Sequence, residues 1–418
     1  MTATTSTPTH AVGEPKSSIL RQPRAVWAVA FACVIAFMGI GLVDPILKEI
    51  AAKLDATPSQ VSLLFSSYMA VMGVSMLVAG WISSRIGAKR TLLLGLALII
   101  VFAALAGMSS SVGGVIGFRA GWGLGNALFV ATALSTIVSA SAGSVASAII
   151  LFEAALGLGI ASGPLIGGLL GQQSWRAPFF GVSVLMFIAL AATAVFLPTT
   201  PATGRKTGLT EPLKALRYPA LALLAVVAIS YNLGFFTLMA AGPFALPTYS
   251  IMSIGWTFFG WGLLLAICSV VVAPRLQRAL GTVPTLIGVL GLFGLDLMIM
   301  GVYANHEIVV TLGIIVAGAF LGVANTLVTE AVMGAAPVER PIASSAYSFV
   351  RFTGGAVGPY VALKLAENVD LHAPFYFGSI AVLTGVVVLG MGARTVADAG
   401  VPVHSEAEAE AIAVGDLD

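Results

Sequence analysis

The sequence predicts an all-α integral membrane protein of twelve transmembrane helices, arranged as two pseudo-symmetric six-helix bundles, and three observations carry that prediction. Of its 418 residues 58% are hydrophobic and only 9% charged, where a soluble domain has about a quarter of its residues charged. Apolar runs of about 20 residues, enough for a helix to cross a bilayer core of about 30 Å, recur along nearly the whole chain. The second half of the chain also repeats the first.

Residues 1–24 are polar and rich in Thr and Pro, with no apolar core ahead of a small-residue cleavage site, and read as an uncleaved, disordered cytoplasmic tail. Twelve apolar spans follow, at 25–47, 60–82, 91–109, 112–139, 146–170, 176–198, 219–243, 251–273, 283–303, 307–335, 341–365 and 372–393. They are continuously apolar and do not alternate with period two, so helices are expected rather than a barrel, since lipid offers no partner to unpaired backbone groups. The longest polar stretch between spans, PTTPATGRKTGLTEPLKALRYP, places a cytoplasmic linker at 199–218 between bundles of 25–198 and 219–393. Residues 394–418 end in an acidic segment expected to be a disordered cytoplasmic tail.

Orientation follows from the distribution of Lys and Arg between spans. With the N-terminus inside, the cytoplasmic side holds Lys16, Arg21, Arg24, Arg85, Lys89, Arg90, Arg205, Lys206, Lys214, Arg217, Arg275, Arg278, Arg340 and Arg394, against Lys48, Lys53, Arg176 and Lys364 outside. Both termini are therefore expected in the cytoplasm of a cell-membrane protein. The slightly basic balance reflects topology and calls for no nucleic-acid partner. Cys33 and Cys268 both fall inside spans, where packing is expected and a disulfide is not.

The repeat is visible in three places. AGWISSRIGAKRTL from Ala79 resembles APRLQRALGTVPTL from Ala273, aligning Gly87 with Gly281 at an offset of 194. Gly163-Pro164 falls opposite Gly358-Pro359 at an offset of 195, and APFFGVSVL from Ala177 opposite APFYFGSIAVL from Ala373 at 196. Two six-helix halves share one template, with helices 1, 4, 7 and 10 expected to line a cavity between them.

Three local patterns carry more specific information. GWISSRIGAKR, residues 80–90, places Gly80, Arg85, Gly87, Lys89 and Arg90 in a basic loop after the second span. RAGWGLGNA, residues 119–127, puts Arg119, Gly123 and Ala127 on one helix face, the small residues allowing close approach of another helix. GLGIASGPLIGGLLG, residues 157–171, carries Gly159, Gly163, Gly167 and Gly171 at intervals of four, a stripe without side chains along the fifth helix, and Pro164 that can bend it.

Together these patterns resemble the major facilitator superfamily, and in particular its 12-helix drug:proton antiporter branch. The first resembles the superfamily's cytoplasmic signature, the second its fourth-helix arginine signature, and Gly163, Pro164, Gly167 and Gly168 the G-P-x-x-G-G core of the antiporter signature, which is associated with export. Ser84 stands at the signature's acidic position and Ala88 at a usual basic one, a departure that bears on the latch holding the halves shut on the inside. The resemblance implies substrate binding near the midplane between two rocking halves, and gating roles for Gly80, Arg85, Gly87, Arg90, Gly159, Gly163, Pro164 and Gly167. A functional monomer is expected.

Ionisable residues within a membrane are costly and are functional candidates by default. Asp44, in GLVDPIL, and Arg119 lie at one level and form the first candidate proton-coupling pair. The alternative is an interfacial Asp44 paired with Lys48 at i+4. Glu330 and Arg351 form a second candidate pair, with a gate role for Arg351, facing the 80–90 loop, implied by the resemblance. Glu153, two turns before Gly159, is the acid placed to meet a cationic substrate, or is an interfacial carboxylate. Asp296 in the ninth span reads as structural.

Tyr231, Asn232 and Phe235 on the seventh span, with Phe65, Tyr68, Met69 and Met72 on the second, are candidate substrate contacts, because aromatic and thioether side chains adapt to varied lipophilic molecules. The same stripe also fits plain core packing. No G-K-[ST] phosphate loop and no H-E-x-x-H pair occurs, no nucleophile and base are arranged together, and no cofactor is implied. The first functional expectation is proton-coupled efflux of small lipophilic or cationic compounds across the bilayer by alternating access, with protons and the small molecule as partners. Alternatives are a dedicated exporter of one metabolite, such as a siderophore, sugar or amino acid, and a transporter-like receptor without turnover.

Overall fold

In the computed structural model, which describes residues 22–141, 145–199, 208, 210–335 and 340–399, the apolar runs are helices, and no strand occurs among the described residues. The first half contributes α1 (Arg24–Gly41), α2 (Pro58–Ile86), α3 (Ala88–Met108), α4 (Val112–Ala140), α5 (Val145–Gly171) and α6 (Ala177–Phe196). The second contributes α7 (Pro219–Ala241), α8 (Ile251–Ile267), α9 (Thr282–Val302), α10 (Glu307–Ala335), α11 (Arg340–Asn368) and α12 (Ala373–Met391). Among the described residues eleven helices are both long and apolar enough to cross a membrane. The remaining one, α11, has the length, 29 residues, but Arg351 and its serines and glycines lower its apolarity. Both expected disordered tails lie largely, and the linker in part, outside the described residues; the described end of the linker holds a short helix, Glu211–Ala215.

Local chemistry sets the helix ends. Thr57 caps α2 reciprocally with Gln60, and Ser111 and Ser250 cap α4 and α8 through Gly114 N–H and Ser253 N–H. The first helix ends sooner than its apolar run. Pro45 lacks an N–H and its ring conflicts with the carbonyl of Gly41, so α1 stops there and Asp44–Ile46 forms a 3-10 turn ahead of a short helix, Leu47–Lys53. Asp44 is therefore in a turn beyond the helix on which the sequence placed it.

The repeat holds in three dimensions. Gly87 and Gly281 both join consecutive helices with φ of +85°, a conformation that strains any residue with a Cβ. Packing follows the same template: α1 lies on α5 and α6, α2 on α4, and α3 on α4 and α6, while α7 lies on α11 and α12, α8 on α10, and α9 on α10 and α12. Individual contacts repeat as well. A methyl group on Gly159 or Gly163 would stand 2.5 Å from the Val34 carbonyl oxygen or 2.6 Å from that of Met38; on Gly354 or Gly358 it would stand 3.0 Å from that of Ile229 or 2.9 Å from that of Leu233. Each residue of the second set is its first-half counterpart plus 195.

Two helix pairs join the halves, α2 with α11 and α5 with α8. One end of the bundle, called here the basic side, carries the start of α1, the turn at Gly87 and the end of α12. Among the described residues the hydrogen bonds between halves all lie at the opposite side. Lys48 Nζ donates to the carbonyls of Leu246 (2.7 Å) and Tyr249 (3.4 Å), and Ser59 N–H to Glu367 Oε1 (2.7 Å). At mid-depth Gly73 rests on Phe352 and Gly262 on Ala161. At the basic side Gly80 has open space where a side chain would go. The halves are closed on the opposite side.

Candidate transport core

The first-half polar cluster is built where α4 meets α1 and α2. Arg119 is fully buried, its guanidinium 4.4 Å from the Tyr68 ring centre and 4.6 Å from that of Trp122, a cation between two aromatic faces. Its Nη1 donates to the Gly39 carbonyl at 3.2 Å. Glycine is needed there because a Cβ would stand 2.7 Å from the Trp122 ring. Gly123, one turn along from Arg119, abuts the Tyr68 carbonyl, so the small-residue face brings α4 onto α2. Asn126 Nδ2 then donates to Tyr68 Oη at 2.6 Å and points at Met72 Sδ at 4.0 Å.

Asp44 completes this cluster without joining it. Its side chain is fully buried and neither carboxylate oxygen has a hydrogen-bond partner; nor do Nε and Nη2 of Arg119. The two groups are not in ion-pair contact, yet each stands in the other's field. One Asp44 oxygen lies 3.3 Å from where a Cβ on Gly41 would be, and the Pro164 ring of α5 lies 3.1 Å from the same point. The carboxylate and the proline of the GPLIGG run therefore border the same point beside Gly41. The interfacial reading of Asp44 as the partner of Lys48 is corrected: Asp44 is interior, and the ammonium reaches across to the carbonyls after α7.

The second-half cluster spans α7, α10 and α11. Tyr231 Oη donates to Asn325 Oδ1 at 3.1 Å, and the hydroxyls of Tyr231 and Tyr347 are 2.9 Å apart, so Tyr347 donates to Tyr231 in turn. Asn232 Nδ2 turns back to the Ala228 carbonyl of its own helix at 2.8 Å. Phe235 stacks on Trp261, ring centres 5.6 Å apart and planes 17° from parallel. Phe65, Tyr68, Tyr231, Asn232 and Phe235 are all buried, so in this conformation the candidate substrate contacts are closed core.

The second proposed charge pair does not form. Glu330 is exposed on α10 and accepts from Gln277 Nε2 at 2.9 Å, whereas Arg351 is half-buried on α11 with its guanidinium carbon 5.7 Å from the Phe352 ring centre and no hydrogen bond. Nor does Arg351 meet the 80–90 loop: its neighbour Phe352 rests against Gly73, two turns deeper than Gly80. Within the loop Arg85 stacks on Trp81 at 3.8 Å, Ser84 Oγ donates to the Trp81 carbonyl, and Arg90 is exposed. Lys89 donates to the carbonyls of Ala194 and Leu197, holding the end of α6 where the helix dipole favours a cation.

The glycine stripe also has a different neighbour from a gate. Gly159, Gly163 and Gly167 face Val34, Met38 and Leu42 of α1 and its end, within one half, and Gly171 faces Ile46 of the turn after it while also touching Ile251 of α8. A second small face of α5 makes the contact between halves: Gly157 and Ala161 meet Ala266 and Gly262 of α8, and Gly168 meets Gly255. Pro164 supplies a carbonyl to that contact, 3.0 Å from where a Cβ on Gly255 would be.

The side chain of Glu153 lies outside the described residues. Asp296 is half-buried with Oδ2 unpartnered, against Gly313 of α10. Cys33 and Cys268 are buried and free. Among the described residues no group of three His, Cys, Asp or Glu could hold a metal. The sequence reading passed over Trp122, Asn126, Asn325 and Tyr347. Asn126 was within reach, seven residues after Arg119 on the same face of its own motif; Asn325 and Tyr347 carry no signal until α10 and α11 are placed beside α7.

Comparison with known proteins agrees with this architecture. Residues 29–276 match the family model of the Major Facilitator Superfamily. The chain is 57% identical over 382 residues, 91% of this chain and 96% of the other, to multidrug efflux protein YfmO of Bacillus subtilis (strain 168). The crystal structure of the human organic anion transporter MFSD10 (TETRAN) superposes with a TM-score of 0.68 at 19% identity, covering 88% of this chain and 99% of that one. A bacterial homologue of the human lysosomal transporter Spinster, inward-facing and unoccupied, gives 0.67 at 16% identity, covering 90% and 96%. Twelve long helices among the described residues, in two halves packed in the same pattern, with buried charges at the first half's core, are the body of a membrane transporter, and the chain belongs to the major facilitator superfamily.

Proposed function

We propose that the protein exports small lipophilic compounds from the cell in exchange for protons, by alternating access of a site between the halves 25–198 and 219–393. The observation that carries the proton half of this reading is the pair Asp44 and Arg119: both fully buried, neither fully satisfied, and placed where α1, α4 and the Pro164 segment of α5 meet. A buried carboxylate without donors is expensive as an anion. Its proton occupancy therefore depends on the field of the guanidinium in its own half and on water access, and water access changes when the halves rock. A proton can bias the rocking only through such a difference in affinity between states.

Export is supported by the antiporter-like GPLIGG run and by the 57% identity to a multidrug efflux protein. The excess of Lys and Arg at the basic side makes that side cytoplasmic, with both termini there. The hydrogen bonds between the halves then lie on the outer side, so the conformation is closed to the outside. The protein works as a monomer in the cell membrane.

The test is flux in proteoliposomes holding the purified chain and a lipophilic dye, with a pH gradient imposed in either direction. Dye should move uphill against proton entry, and the gradient should collapse faster when dye is present. Dye movement indifferent to the gradient, with no dye-dependent proton flux, would remove the proton from the mechanism.

A further inference from the structure

The buried charges of the first half offset one another, Asp44 against Arg119. Among the described residues the second half holds a cation with no such partner, Arg351. Of the three nitrogens of Arg351 only Nε is sealed from solvent; none has a hydrogen bond, so the Nη edge is left open. The acids of the described second half are engaged or lie elsewhere: Glu330 with Gln277, Glu307 with Thr248, Glu367 with Ser59 and Lys364, Asp370 with the backbone at His372, and Asp296 against Gly313 of α10.

A guanidinium inside a membrane protein without counter-charge is costly and marks a ligand path. The surroundings of Arg351 narrow the ligand. Tyr347 lies one helical turn before it on the same face of α11, and Tyr231 is close enough to stand in its field. The two hydroxyl protons are committed along the relay from Tyr347 to Tyr231 to Asn325. Besides the Asn325 amide N–H, the free donors here are those of the guanidinium, whose forked Nη edge matches the two oxygens of a carboxylate where a single amide does not. Around it stand aromatic faces, Phe352 beside the guanidinium and Phe236 packed against Gly355 one turn along.

We propose that Arg351, lodged beside the Tyr231–Tyr347 hydroxyl pair, is the recognition site for a carboxylate on a lipophilic substrate. The apolar body lies on the aromatic side chains and the anionic group meets the Nη edge when the halves accept the ligand. This names a substrate class for the transport reading and rests on that reading for its physiological meaning. Recognition of the anion is a binding property, separable from turnover.

The experiment uses the full chain in nanodiscs and a pair of probes with the same apolar body, pyrenebutyrate and its methyl ester, followed by fluorescence anisotropy. The wild type is expected to bind the acid at least about tenfold more tightly than the ester, the value of a hydrogen-bonded charge contact. Arg351→Gln should remove that preference and leave ester affinity within about twofold, since the ester makes no charged contact to lose. Partition into lipid is common to protein and variant and cancels between them. Arg351→Lys keeps the charge without the fork and should retain part of the preference. Equal affinity of the wild type for acid and ester overturns the proposal whether or not the variants fold, and so does an Arg351→Gln protein that weakens both probes alike. Gradient-driven flux that fails while the charge preference stands would count against the transport reading alone.

Discussion

Asp44 shows how much one residue's meaning depends on its surroundings. In sequence it is an acid near the end of an apolar run, four residues before a lysine; in the fold it is sealed, with no donor, one contact away from Pro164. Asp44→Asn keeps the shape and fixes the neutral state. Uphill, gradient-driven efflux is expected to fall to background, while substrate binding and proton-independent exchange persist. Gradient-driven flux at the wild-type rate in that variant would move the proton to another acid. Tyr68 allows a second test at this scale. Tyr68→Phe leaves the Asn126 amide facing a ring edge in a dry core, a loss of about 1–3 kcal/mol, read as a lower melting temperature in detergent. The Arg119 stack on the ring survives the change, so binding of a neutral substrate should not follow the stability loss.

At the scale of elements, α5 is a helix with two small faces that do different work. The Gly159–Gly171 stripe fixes it to α1 inside its own half, while Gly157, Ala161 and Gly168 let it meet α8 of the other half. Substitutions on the two faces should therefore fail differently. Gly163→Leu drives a side chain at the Met38 carbonyl, whose counterpart contact at Gly358 and Leu233 shows how closely the template needs these backbones. Overpacking of this kind costs about 1–3 kcal/mol or more and should show as a lowered melting temperature and poor recovery from membranes. Gly262→Leu instead meets Ala161 across the halves, where a Cβ would already stand 2.5 Å from the Ala161 Cα. Each six-helix half keeps its own packing, so that variant is expected to reach the membrane in normal amount and lose transport. Equal damage to stability by both substitutions would erase the distinction between a holding face and a moving one.

For the whole molecule the question is what holds the observed conformation closed on one side. Lys48 spans the halves to two carbonyls following α7, and Glu367 takes the backbone N–H of Ser59 near the start of α2. A hydrogen bond to a charged group contributes about 1.5–3 kcal/mol, so losing the lysine is expected to shift the ratio of the two states by about tenfold or more toward opening on that side. Lys48→Met keeps the apolar stem and removes the donors. Nitroxide labels at Asp55 and Val369, exposed residues of opposite halves on that side, should report a longer and broader distance distribution in the variant. An unchanged distribution would show that the α5–α8 and α2–α11 packing closes the side without the lysine.

The sequence by itself determined the class, the number of helices, the repeat and its offset, because each is written in local composition: apolar length, the spacing of glycines, and two turns that only glycine adopts without strain. It also suggested that Asp44 and Arg119 share a level, on helices rather than with Asp44 in the turn where it stands. Only the tertiary structure decided which groups meet. Helix periodicity gives a residue's face but not the helix across from it, so the glycine stripe was legible as a contact surface and its neighbour, α1 rather than a moving helix, was not. For the same reason Glu330 and Arg351 looked like a pair, since both lie toward the basic side on consecutive helices, until α10 turned the acid outward to Gln277 and α11 left the arginine half-buried beside Phe352. Partners come from how helices are placed around one another, and that placement is fixed by contacts hundreds of residues apart, such as Lys48 with Leu246 and Ser59 with Glu367.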